Sequence, residues 1–146
     1  MTPIQTSLAI ECFMNILGAV TFLVWPEWCL SYAVSTPMVP ASTIVLWQIY
    51  AVLVLELTFG LMLCIPNVPG AKAKRTVLFQ ILGNGEVGLI VFLLYYAMNA
   101  ERSGFTHSTL LCSAASLVPL AGWKFWVLWG APEMLDDGSN GKSKGP

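Results

Sequence analysis

Four long apolar stretches, cut apart by short runs of breakers and charges, limit this chain to very few folds. They are Gln5–Trp25, Ser42–Ile65, Thr76–Met98 and Thr106–Trp129. Each meets the roughly 20 residues that a helix needs to cross a hydrocarbon layer about 30 Å thick. No water reaches the backbone at that depth, so each stretch must satisfy its own N–H and C=O groups as a helix. Composition agrees: 56% of residues are hydrophobic and 10% charged, with a mean hydropathy of +0.71. A soluble domain carries about 25% charged residues. The net charge of −1 offers no field for nucleic acid.

The segments between the stretches are turns. "PEWCLSYAVSTPMVP" holds Pro26, Pro37 and Pro40, "PNVPGAKAKR" holds Pro66, Pro69 and Gly70, and "NAERSG" is short and polar. Short connections make neighbours antiparallel, so the expected fold is an all-α, four-transmembrane-helix antiparallel bundle over residues 1–130. The remainder, 131–146, is acidic and then rich in Gly, Ser and Lys, and reads as a flexible tail. The first stretch lacks a basic flank, and "WPEW" is a poor cleavage site, so it is read as a helix and not as a signal peptide. Lys72, Lys74, Arg75, Lys124, Lys142 and Lys144 fall on one side and Arg102 on the other, which predicts cytosolic termini. Tryptophans 25, 28, 47, 123, 126 and 129 gather near segment ends, as an interfacial belt would.

Inside the third stretch lies "GNGEVG", Gly83 to Gly88, which fits the dinucleotide fingerprint G-x-G-x-x-G. That fingerprint needs a preceding strand and a βαβ unit, and a spanning helix leaves room for neither. Gly83 and Gly88 read instead as helix-packing positions. Glu86, in the middle of this motif, is not explained by packing.

Glu86 has company. At about 1.5 Å per residue, Glu11, Glu56 and Glu86 lie roughly 9, 13 and 15 Å from the cytosolic ends of their helices. Asn15 shares a face with Glu11, and Gln80 and Asn84 share another on the third span, while Gln48 and Tyr50 lie nearer the other side. An ionised residue at the centre of a spanning helix costs about 2.5–3.5 kcal/mol on insertion scales. Lys124 is the one cation in a nearby span, so three ion pairs cannot form. Burial and mutual repulsion then favour a partly protonated cluster, able to supply both an acid and a base. Glu56, Glu86 and Glu11 are therefore the expected catalytic groups, with Asn15, Gln48, Tyr50, Gln80 and Asn84 as candidate substrate contacts. A structural role, a carboxyl bonded to a neighbouring helix, stands beside this for each Glu taken alone.

Other chemistry finds little footing. Cys12, Cys29, Cys64 and Cys112 form no C-x-x-C, although Cys29 and Cys112 could share a side of the membrane. The single histidine, His107, reads as a helix-end residue, and no metal or cofactor is expected. The implied partners are the bilayer and a lipophilic small molecule; self-association is left open.

"NILGAVTFLVWPEWCLSYAV" and "WQIYAVLVLELTFGLMLCIPN" each carry a Gly in an apolar helix that ends at a Pro-containing turn. In this they resemble small four-helix DoxX-like membrane proteins. The short chain with isolated Glu residues also resembles the membrane-bound epoxide hydrolases and cyclases of fungal polyketide and meroterpenoid biosynthesis. That resemblance implies epoxide opening on a lipophilic intermediate at the endoplasmic reticulum membrane. The alternatives are a double-bond isomerase or terpene cyclase using the same carboxyls, a proton-coupled carrier, and a non-catalytic DoxX-like subunit.

Overall fold

A computed structural model describes residues 1–36 and 38–136. Among these the chain is all-α: α1 (Pro3–Val24), α2 (Pro26–Ala33), α3 (Ala41–Cys64), α4 (Ala71–Ala97), α5 (Ala100–Ser103) and α6 (His107–Phe125). α6 runs on through a π-helical turn, Trp126–Gly130, into a 3₁₀ turn, Pro132–Leu135. α1, α3, α4 and α6 with its π turn are long and apolar enough to cross a membrane. The protein is thus a multi-pass, membrane-associating helical bundle.

Local chemistry sets the helix starts. Thr2 and Gln5 form a reciprocal capping box at α1: the Gln5 N–H donates to Thr2 Oγ1 at 3.4 Å, and the Thr2 N–H donates to Gln5 Oε1 at 2.8 Å. Gly70, at φ +82°, turns the chain into α4 in a conformation that disfavours any side chain. At the far end of α4, the His107 ring nitrogen Nδ1 lies 2.8 Å from the Ala97 carbonyl, the helix-end role its position suggests. Two differences from the sequence reading stand out. "PEWCLSYA" is a helix and not a loop, and α4 begins at Ala71, five residues before Thr76, taking Lys72, Lys74 and Arg75 into the helix.

The long helices pack as two antiparallel pairs, α1 with α3 and α4 with α6. The pairs are joined at both ends. At the end that holds the N-terminus, Ile4, Leu8, Leu61, Phe79, Val127 and Leu135 form one buried apolar cluster. At the opposite end, the Ser35 N–H donates to Gly104 O at 2.9 Å and the Thr106 N–H donates to Ala33 O at 2.8 Å, around a Val34–Phe105 bridge.

Arg75 fastens the first of these ends. Its fully buried guanidinium donates to the carbonyls of Cys64 (2.9 Å), Ile65 (3.0 Å) and Leu135 (3.2 Å) and to Asn67 Oδ1 (2.6 Å). The first two carbonyls belong to the end of α3, which no intrahelical N–H can reach. The third belongs to the segment after the bundle. The expectation of a free tail from 131 onward is therefore corrected for 131–136: Leu135 is buried, and Asp136 pairs with Lys72 at 2.8 Å. The rest of the expected tail lies outside the described residues. Arg75→Gln strands these buried acceptors, each a loss of about 1–3 kcal/mol, and Lys at 75 cannot restore a fork of several donors. Both variants are expected to lower the unfolding midpoint in detergent, with Arg75→Gln costing about 3 kcal/mol or more by denaturant titration.

Candidate functional site

The middle of the bundle is held by charge. Lys124 of α6, fully buried, places its ammonium nitrogen 2.9 Å from Glu11 Oε1 of α1 and 2.6 Å from Glu86 Oε1 of α4. One cation thereby bridges two carboxyls and links the two helix pairs. Both Glu side chains are nearly buried, at 13% and 12% exposure.

The sequence around each partner explains the meeting. In the first half of α4 the buried positions, Ala71, Arg75, Phe79 and Gly83, repeat every four residues, and Glu86 continues that stripe one turn on. At Gly83, α6 comes close. A Cβ there would lie 3.3 Å from the Phe125 ring and 3.6 Å from Lys124 Cβ. The missing side chain thus lets the backbone beside Lys124 settle against α4. This is the packing role expected of Gly83, but Gly88 does not share it, since a Cβ at Gly88 or Gly85 would meet nothing.

A cavity of about 280 Å³ adjoins the triad. Its walls include Glu11 and Asn15 of α1, Tyr50 of α3, Glu86 and Leu89 of α4, and Leu117 of α6. All four long helices contribute, so the space lies between the two pairs. Glu86 Oε2 is buried without a hydrogen-bond partner among the described residues, while Oε1 of the same carboxyl is held by Lys124. Two carboxyls share one ammonium, so a single proton on the triad would make it neutral.

Of the eight residues singled out from sequence, four meet here: Glu11, Glu86, Asn15 and Tyr50. The other four do not. Glu56 is exposed on the outer face of α3 with Val52, Leu53, Phe59 and Leu63. The reason is angular. α3 packs through Ala51, Thr58 and Leu61, and Glu56 is two residues, or about 200°, from Thr58. Gln80 and Asn84 each follow a buried residue, Phe79 and Gly83, by one position and so turn outward. Gln48 donates its amide to Leu23 O at 3.2 Å, toward the far end of the bundle. The residue that sequence reasoning left out of the site is Lys124. A lysine within a span, with carboxyls in neighbouring spans, carried the signal, because intramembrane charges pair with one another.

All four cysteines are free, and Cys29 is not joined to the exposed Cys112. Among the described residues, no group of three His, Cys, Asp or Glu side chains is placed to hold a metal ion. Comparison with protein-family models, with curated proteins and with solved structures yields no match for this chain.

Removing Lys124 leaves two carboxyls near each other with no cation between them. Breaking a buried ion pair from one side costs about 3–5 kcal/mol, whereas replacing all partners by apolar groups is often neutral. Lys124→Met is expected to destabilise the bundle by that amount in detergent unfolding. The triple change Glu11→Leu, Glu86→Leu, Lys124→Met is expected to recover most of the loss. Equal stability of Lys124→Met and the unaltered protein would show that the triad carries no net interaction.

Proposed function

We propose that the protein is a membrane-embedded acid–base catalyst that opens an epoxide, by hydrolysis or cyclisation, on a lipophilic substrate. The observation that supports this most is the divided state of Glu86. One oxygen is fixed by Lys124, and the other is buried, without a hydrogen-bond partner among the described residues, and part of a carboxyl that borders a largely apolar cavity.

The chemistry needs an acid and a base. Glu86, carrying its proton on Oε2, gives it to the epoxide oxygen as the C–O bond breaks. Glu11, held as carboxylate by Lys124, takes a proton from water or from a substrate hydroxyl as that oxygen bonds to carbon. Asn15, on the face of Glu11, orients the nucleophile without titrating. After one turnover Glu86 lacks a proton and Glu11 has one in excess. Lys124 touches both, so passing one proton to Glu86 and accepting one from Glu11 restores the starting state. Low dielectric strengthens each of these interactions.

The same pair would serve a double-bond isomerase, which differs only in needing no nucleophile. A purely structural reading has an observation of its own, since the triad also ties together helix pairs that otherwise meet at their ends. The Lys and Arg distribution supports cytosolic termini, and the resemblance described above supports the endoplasmic reticulum as the membrane.

Glutamine at an acid or base keeps shape and hydrogen bonding but cannot transfer the proton, a loss of about 10²–10⁴-fold in rate. Glu86→Gln and Glu11→Gln are each expected to fall by that factor in turnover of a lipophilic epoxide, at matched amounts of folded protein. Glu56→Gln, on the outer face, is expected to stay within about twofold, because it enters no step. Near-normal turnover by Glu86→Gln would leave the triad a structural element.

A further inference from the structure

A second cavity, of about 340 Å³, lies toward the end away from the N-terminus. Trp47, Phe92, Leu93, Tyr96, Arg102 and Ser113 are among its walls. Three helices contribute to both this cavity and the one beside the triad, each through residues a single turn apart. They are Trp47 and Tyr50 on α3, Leu93 and Leu89 on α4, and Ser113 and Leu117 on α6. Residues three or four apart share a helix face. The two cavities therefore follow one another along the same cleft between the helix pairs.

Their polar characters differ. The triad cavity has two carboxyls, whereas the second has none; its polar lining is Trp47, Arg102 and the hydroxyl residues Tyr96, Ser103, Thr109 and Ser113. Trp47 Nε1–H is buried and has no acceptor among the described residues. A buried indole N–H ordinarily finds one. Arg102, an exposed residue in the wall of the same cavity, adds a cation, and among the described residues it has no ion-pair partner. These two donors, over aromatic and aliphatic walls, call for an acceptor-bearing or anionic head on an apolar chain. From Glu86 to Tyr96 is ten residues of α4, about 15 Å of helix.

We infer that the second cavity is the head-group subsite of an elongated amphiphile. Trp47 donates to a carboxylate or carbonyl oxygen of the head, Arg102 supplies the matching charge, and the chain runs down the cleft to the triad. Trp47 and Arg102 are binding and positioning residues and take no part in proton transfer. The link to the triad rests on the acid–base reading above, but the subsite itself does not, and the two can be tested apart.

The first measurement reads binding alone. Radiolabelled palmitate is titrated onto the full chain in detergent. Trp47→Phe and Arg102→Gln are each expected to raise Kd by about fivefold or more, the loss that follows one hydrogen bond to a charged group. Trp123→Phe removes another buried indole N–H without an acceptor among the described residues, on a residue that does not line the cavity, and is expected to bind as the unaltered protein does. Glu56→Gln, on the outer face of α3, is expected to bind palmitate normally. Binding that ignores Trp47 and Arg102, or that falls equally with Trp123→Phe, overturns the subsite whether or not any epoxide is turned over.

The second measurement reads the link. With 15,16-epoxyhexadecanoate, Trp47→Phe and Arg102→Gln are expected to raise KM and leave kcat within about twofold, as loss of uniform binding does. With 1,2-epoxyhexadecane, which has no head, KM is expected to stay unchanged. An equal rise for both substrates would separate the two cavities and overturn the link.

Discussion

One ammonium shared by two carboxyls holds the centre of this molecule. Lys124 reaches Glu11 across the gap between helix pairs and Glu86 on the adjoining helix. In lipid the pairs gain little by hiding apolar surface from each other, because the hydrocarbon outside is as apolar as a neighbouring helix. What brings membrane helices together is close packing and the pairing of polar groups. Here both operate at one level: Gly83 admits Phe125, and the residue before Phe125 is the lysine. Desolvating three charged groups is expensive, and the attraction among them offsets that cost only while all three stay in place.

The fold was legible because it depends on totals. Stretches this long and this apolar have only one way to satisfy their backbone, and the helix ends fell within a few residues of the sequence reading except at α4. There Lys72, Lys74 and Arg75 looked like loop charges. Arg75 is instead a helix residue whose side chain gathers the carbonyls that α3 leaves behind. Nothing in local composition distinguishes a surface arginine from one that serves as another helix's cap. "PEWCLSYA" reads as a turn for a similar reason: Pro26 marks the start of a short helix and not its absence.

The site was half legible, and the division has a physical basis. Depth follows from counting residues along a helix, so the level shared by Glu11 and Glu86 could be read. Azimuth requires one face to differ from another. Soluble helices declare theirs by amphipathic pattern, but spans apolar all round do not. Glu56 therefore looked equivalent to Glu86, although Thr58 and Ala51 turn it outward. Gln80 and Asn84 failed in the same way, one position from the buried stripe. Asn15 succeeded because it was tied to Glu11 by helical spacing, which needs no knowledge of the neighbours.

The two ends of the bundle are built from different materials, and this bears on how the molecule yields. One end has a buried apolar cluster and the many-bonded guanidinium of Arg75. The other is closed by backbone hydrogen bonds around Val34 and Phe105 and by the ring contact of Trp47 with Phe105. Backbone bonds between connecting segments belong to the low-stability part of a protein, where local opening costs least. Mechanically the bundle is a clothes peg, its spring at the end with the N-terminus and its jaws at the other. Force or thermal agitation that parts the helix pairs will part them first at the jaws, beside the cavity that Trp47 borders.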